Sequence, residues 1–234
     1  MPKKKKGIVG IEAAIVLIAF VIVAAALAFV VLNMGMYTTQ KSKEVMSQAL
    51  NEASSALEVD GSVMAYVLSS SDITHQDYTG FGIYANKNAE GKVVAILIPL
   101  KISPGQQAVD LSKDKIDVVI RLPNGTYAKA NTEDPKEATA PVDYKDLVND
   151  TLEGIQTVKA TFYFVQSNQA YGVPAFNVLE IGEKVVLVIV VSGDLALKQY
   201  EKFVVEVRPL AGAPLTVERV IPPTLPVGEF ASLL

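Results

Sequence analysis

The sequence predicts an α+β chain, with one long hydrophobic α-helix at the N-terminus followed by an antiparallel β-sandwich. Three observations predict it. Residues 8–32 form a run of 25 that carries one charge, Glu12. Beyond it Met46, Ala49, Leu50, Ala53 and Leu57 recur at the three- and four-residue spacing of a helix face. From about residue 60 the chain breaks into short apolar runs separated by Gly, Pro and Asn. The expected divisions are a basic leader over residues 1–7, a helix over 8–58 and a β-sandwich over 59–234.

Composition removes several function classes. The chain of 234 residues holds no cysteine and one histidine, His75. That excludes a disulfide scaffold, a thiol nucleophile and a thiolate metal site, and it argues against a histidine-based metal site or triad. The formal charge is −4, and Lys3, Lys4, Lys5 and Lys6 supply four of the positive charges. The remainder is acidic, which argues against nucleic acid as a partner, because phosphate binding needs a basic face. There is no phosphate-binding glycine loop and no hydrolase-type serine motif, so no enzyme activity and no cofactor are expected.

The N-terminal segment carries the functional reading. As a helix, residues 8–32 are roughly 37 Å long, enough to cross a hydrocarbon core about 30 Å thick. The flanking lysines keep the tip in the cytoplasm and send the C-terminal domain outward. A secretory signal cut near Ala24-Ala25-Ala26 fits poorly, because the apolar run continues to Leu32. A plain membrane anchor and a prepilin-type signal, cut in front of the apolar run, both remain.

Specific residues distinguish them. Lys5-Lys6-Gly7 precedes Ile8-Val9-Gly10-Ile11-Glu12. Ala14-Ile15-Val16-Leu17-Ile18-Ala19-Phe20 follows, then Leu32-Asn33-Met34-Gly35 and Thr39-Gln40-Lys41. This combination resembles the archaeal flagellins (archaellins), particularly those of crenarchaeal type, over about 35 residues. The resemblance implies a class III leader cut by a prepilin peptidase between Gly7 and Ile8, with Lys5 and Lys6 as its recognition residues. It also implies a homopolymeric motility filament outside the cell, an immunoglobulin-like outer domain, a membrane-inserted precursor, and a membrane assembly platform with its ATPase motor. A type IV-like adhesion pilin shares the leader and the helix. Glu12, fifth after the expected cut, keeps that alternative open, although crenarchaeal-type archaellins also tend to be acidic there. A singly anchored surface module is the third reading.

The helix is expected to polymerise for a physical reason. Its first 25 residues comprise 16 large apolar side chains, 7 alanines, Gly10 and Glu12. A helix apolar around its whole circumference must be buried on every side. Against water that burial is worth on the order of 30 kcal/mol, so a free soluble subunit is excluded. Between lipid and a bundle of like helices the hydrophobic term nearly cancels, and packing decides. Ile15, Leu17, Ile18, Phe20, Leu27 and Phe29 are the expected packing residues, and Ala24 and Ala25 allow close approach. Glu12 is costly at membrane depth unless paired, and a new amine at Ile8 is its expected partner. Gly35 is a possible bend.

In the outer domain, strands are expected over residues 62–68, 92–102, 116–122, 126–128, 158–165, 184–191, 202–208 and 215–220, with 185–191 at the centre of the sandwich. Asn124-Gly125 between two of them is a hairpin signal. Residues 129–150 are expected to be an exposed loop, with a short helix over 144–152. Asn124-Gly125-Thr126 and Asn149-Asp150-Thr151 match the N-glycosylation pattern, in expected surface turns. Asp143, Asp146 and Asp150 would share a helix face, and a solvated face is the expected reading rather than a metal site. His75 is expected on a surface loop.

Overall fold

A computed structural model describes residues 8–53, 57–69, 91–106, 108–138, 141–152, 155, 157–167, 177–210 and 212–233. His75 lies outside them. The chain divides into two units, residues 1–50 and 51–234.

The described residues of the first unit lie in one helix, α1 (Ile8–Ala53), of 46 residues, which runs on to Ala53 and is about 69 Å long at 1.5 Å per residue. Unbranched and alanine positions between the Val and Ile residues keep it helical through its apolar half. Helical structure continues through Gly35 without a break. Just beyond, the hydroxyls of Thr38 and Thr39 donate to the carbonyls of Met34 and Gly35, both at 2.8 Å. These local bonds satisfy polar side chains where the surface changes from apolar to mixed. Lys41 and Glu44 then pair at 2.7 Å. The helix ends earlier than its periodicity suggests. Leu57, expected on the helix face, opens strand β1 (Leu57–Val59) and is buried.

The second unit is a β-sandwich with a helix on its far side. Its larger sheet contains β1, β2 (Val63–Ser69), β3 (Gly91–Ile102), β7 (Lys136–Glu137), β8 (Val158–Gln166), β10 (Lys184–Val191) and β13 (Phe230–Leu233), in the order β13-β2-β3-β10-β8-β7, with β1 also on β3. The smaller sheet is β12 (Leu215–Val220), β11 (Lys202–Pro209), β5 (Ile116–Leu122) and β6 (Gly125–Tyr127), in that order. A short pair joins β4 (Val109–Asp110) to β9 (Val178–Leu179). Pairing is antiparallel except for β7 on β8 and the Asn131–Ala160 bridge, which are parallel. The antiparallel sandwich of the sequence reading thus carries one parallel edge.

Strand β10 sits at the centre, as expected, with β3 on one side and β8 on the other. Its sequence, VVLVIVV after Lys184, is apolar at every position because both faces are covered. Val185, Leu187, Ile189 and Val191 join Val118, Ile120, Phe203 and Val205 in the core between the sheets. Val186, Val188 and Val190 join Leu147, Val148 and Leu152 of α2 (Tyr144–Leu152) in a second core. In contrast β11 alternates: Phe203, Val205 and Val207 are buried, and Lys202 and Arg208 are exposed. The outer face of the smaller sheet therefore meets solvent.

Residues 129–150 are not the exposed loop that their polarity suggested. Ala130, Asn131 and Ala138 are buried there, and the segment stitches the two sheets together. The Asn131 side chain accepts from the Val118 N–H at 3.0 Å and donates to the Ile116 carbonyl at 2.8 Å. Ala130 N–H donates to Val118 O, and Ala160 N–H to Ala130 O, both at 2.9 Å. Close packing fixes Gly91 at the start of β3, since a Cβ there would lie 2.7 Å from Val67 Cγ1. The hairpin between β5 and β6 pairs Leu122 with Gly125, so its turn residues are Pro123 and Asn124 rather than Asn-Gly. Asn124 does not have positive φ, so this is not the Asn-Gly type of turn. Proline at the first turn position sets φ near −65° and selects the ordinary turn.

The apolar helix as candidate assembly site

The sequence-predicted assembly residues all lie on α1. Glu12, Ile15, Leu17, Ile18, Phe20, Ala24, Ala25, Leu27 and Phe29 are exposed, as is every residue from 10 to 50. Phe20 is 75% exposed and Phe29 67%. Soluble monomers rarely expose contiguous apolar patches beyond a few hundred Å². An apolar rod of this length exceeds that several-fold and is by composition long enough to cross a membrane. Ile8 is the first residue of the helix. Lys5, Lys6 and Gly7 lie outside the described residues.

The two glycosylation candidates differ. Asn124 is exposed at the tip of the β5–β6 hairpin. Asn149, expected in a surface turn, lies instead within α2 and is half-buried. Its partner Thr151 is fully buried, with the hydroxyl bonded to Leu147 O at 2.9 Å and 3.0 Å from the Tyr163 hydroxyl. Sequence pattern alone could not separate the two sites, because burial of Thr151 depends on how α2 docks.

The electrostatics around α2 were not foreseen. Lys159, on β8 and nearly buried, pairs with Glu133 at 2.8 Å, and Lys136 bridges Glu133 at 3.1 Å and Asp150 at 2.8 Å. The Tyr163 hydroxyl donates to the same Asp150 carboxylate at 2.5 Å. Bonding to Lys159, reinforced by Lys136, holds the Glu133 carboxyl below its ordinary range. Burial acts to raise Asp150, but Lys136 and Tyr163 outweigh it and leave the carboxyl below its ordinary range. Tyr163 is pushed well up, first by burial and then by Asp150. Asp143 caps α2 by accepting from the Lys145 N–H at 2.8 Å. Within the Asp143, Asp146 and Asp150 run, Asp143 is thus a helix cap, Asp150 part of an ion pair, and Asp146 an exposed residue of the first turn. Among the described residues no group of three or more His, Cys, Asp or Glu side chains could hold a metal ion.

A rod apolar on every side, joined to a sandwich with closed cores of its own, defines the class of proteins whose N-terminal helix is covered by other copies or by lipid. Comparison with known proteins supplies the particular family. A family model described as archaeal-type flagellin matches residues 7–219. The chain is 47% identical over 231 residues to a probable flagellin of Aeropyrum pernix, covering 99% of each. It is 32% identical to a probable flagellin of Archaeoglobus fulgidus, covering 95% of this chain and 92% of that one. In fold it is similar to the archaeal flagellum of Methanospirillum hungatei, with a TM-score of 0.53 at 22% identity, over 96% of this chain and 99% of that one. A crystal structure of a flagellin from Methanocaldococcus jannaschii matches with a TM-score of 0.52 at 16% identity, over 77% and 97%. The chain belongs to the archaeal-type flagellin family. It is a structural subunit of the archaeal flagellum, an extracellular appendage of repeated subunits, as the first of the three sequence readings has it.

Proposed function

We propose that α1 is the polymerising element of this flagellin and that the β-sandwich is its outer domain. The carrying observation is that residues 10–50 of α1 are exposed throughout, while the sandwich closes two cores of its own. A prepilin peptidase recognises Lys5 and Lys6 and cuts between Gly7 and Ile8. The precursor waits in the membrane through residues 8–32. An assembly platform with its ATPase motor then moves the rod among identical rods, with Ile15, Leu17, Ile18, Phe20, Leu27 and Phe29 in contact and Ala24 and Ala25 at the closest approaches. Glu12 pairs with the amine that cleavage creates, its own or a neighbour's. Glycan attachment falls on Asn124, because a peptide must be exposed and locally unpaired to enter a transferase site, and Asn149 is neither.

N-terminal sequencing of subunits from sheared native filaments tests the core of this reading. A start at Ile8 is expected. A start at Met1 or Pro2, or a native protein that sediments as a monomer, overturns it. Peptide mass spectrometry of the same material is expected to find added mass at Asn124 and none at Asn149.

A further inference from the structure

Among the described residues of the second unit, five large apolar side chains stay more than a third exposed: Val178, Ile181, Tyr200, Leu210 and Val220. Three of them belong to the β11–β12 hairpin and fall at its two opposite ends. Leu210, 78% exposed, follows β11 directly at the turn end. Val220 pairs with Lys202 at the other end. There the Tyr200 N–H donates to Ile221 O at 2.9 Å and the Ile221 N–H to Glu201 O at 2.8 Å. The two ends stand about 26 Å apart along an eight-residue strand.

Tyr200 is held in an unusual way. Its φ is +64°, in the left-handed region that bulky side chains rarely adopt. The turn is locked around it, with the Lys198 N–H donating to Glu201 Oε2 at 2.8 Å and the Glu201 N–H to Lys198 O at 3.2 Å. Neighbouring bonds therefore over-determine a strained backbone whose visible result is an exposed aromatic ring, 71% open. Backbone strain held in this way clusters at functional positions. No internal packing accounts for it, since Tyr200 belongs to neither core.

We propose that Leu210 of one outer domain seats against Tyr200 and Val220 of the next copy, so that outer domains stack head to tail along the β11–β12 hairpin. The occupant is a second copy because the chain belongs to a family of filament subunits and because the two apolar ends are unlike. Unlike ends make a heterologous contact, which repeats without closing. Strand β12 is the outer edge of the smaller sheet, so nothing in its own sheet covers that side. The contact sets the spacing of outer domains, while α1 supplies the cohesion of the core. The proposal rests on the filament reading above.

The absence of cysteine makes a clean test. Filaments assembled from a Y200C/L210C double variant are oxidised and run on a denaturing gel. A ladder of covalent multimers is expected, against monomer for L210C alone. Filaments that form normally and yield only monomer from the double variant overturn the contact. Equal dimer from L210C alone also overturns it, by showing a two-fold arrangement instead. A second arm does not depend on the cysteines. Filaments of Leu210→Ser are expected to release subunits on warming about tenfold faster than wild type, the loss of roughly one buried leucine, and those of Leu210→Met to behave as wild type. Unchanged release by Leu210→Ser overturns the proposal even if the double variant fails to assemble. Absence of filaments from the wild-type chain itself instead sinks the filament reading.

Discussion

Strand β10 and the first half of α1 are chemically alike and meet opposite fates. Seven consecutive apolar residues of β10 are buried within the chain, and the apolar residues of α1 are exposed. The difference is geometric. A strand has two faces, and a domain of ordinary size can cover both, here with the smaller sheet on one side and α2 on the other. A helix apolar around its circumference for roughly 37 Å needs a ring of neighbours of comparable length. The other α-helix among the described residues has nine residues. Hydrophobicity states that a segment must leave water. Length and periodicity state whether its own chain can arrange that, and for α1 only other copies, or lipid, can.

That contrast is broken most severely by a charge placed in the rod. Phe20→Glu puts a carboxylate where each subunit must enter an apolar surrounding, at about 2.5–3.5 kcal/mol or more per copy. Filaments are expected to be absent by electron microscopy. The thermal melt of the sandwich, followed in detergent by near-ultraviolet circular dichroism on the full chain, is expected to be unchanged. The reciprocal change is Leu187→Ala, which opens a cavity in β10 where the side chain is fully buried. A loss of about 2–5 kcal/mol in outer-domain stability is expected by denaturant titration, with filaments still formed at temperatures below the new melt. If Phe20→Glu lowered the melt, or Leu187→Ala stopped assembly of folded subunits, the two regions would not be the separate cores described here.

Much of this was legible in the sequence, and the reasons are instructive. The long helix, β10 at the centre and the other long strands follow from uninterrupted periodicity and from clusters of β-branched residues. The short strands β1, β4, β7, β9 and β13 did not, because two to four residues carry no period and owe their existence to a neighbouring strand. Leu57 fitted the helical spacing by coincidence and is held in β1 opposite Ile102. The segment from Lys129 read as loop because its burial depends on two side chains, Asn131 and Lys159, whose polar atoms are satisfied only after folding. On α1 the assembly residues were visible as composition. Which of the two asparagines stays open was invisible, since that depends on where α2 docks.

Asn131 sharpens the comparison from the sandwich side, as a polar residue more fully buried than any residue from 10 to 50 of α1. Asn131→Ala strands the Val118 N–H and the Ile116 carbonyl, each at a cost of about 1–3 kcal/mol. The expected result is a lower denaturation midpoint with filament architecture preserved in cold-grown cells. Asn131→Asp keeps the acceptor for Val118 but sets a carboxylate oxygen against the Ile116 carbonyl in a buried site, and is expected to cost at least as much as Asn131→Ala at neutral pH.

The smallest effect separates the cores by pH. Apolar burial along α1 is indifferent to protons between Ala13 and Leu32, whereas the sandwich holds several carboxylates below their ordinary range. Glu133 is lowered by Lys159 first and Lys136 second, Asp60 by Lys184 and then Lys101, and Asp150 by Lys136 and Tyr163 against the effect of burial. A carboxyl whose folded pKa is depressed contributes stability that is complete above its unfolded value, near 4, and is lost as pH falls through the folded value. The sandwich melt is therefore expected to be level from neutral pH to about 5 and to decline below about 4. Glu133→Gln removes part of that dependence. Its cost at neutral pH is expected at about 1.5 kcal/mol, the low end for a hydrogen bond to a charged group, because the Glu133 side chain is 39% exposed. Variant and wild type should converge as the pH falls through the lowered native value of the Glu133 carboxyl. A gap that stayed constant through that fall would mean that Glu133 acts by packing rather than by charge.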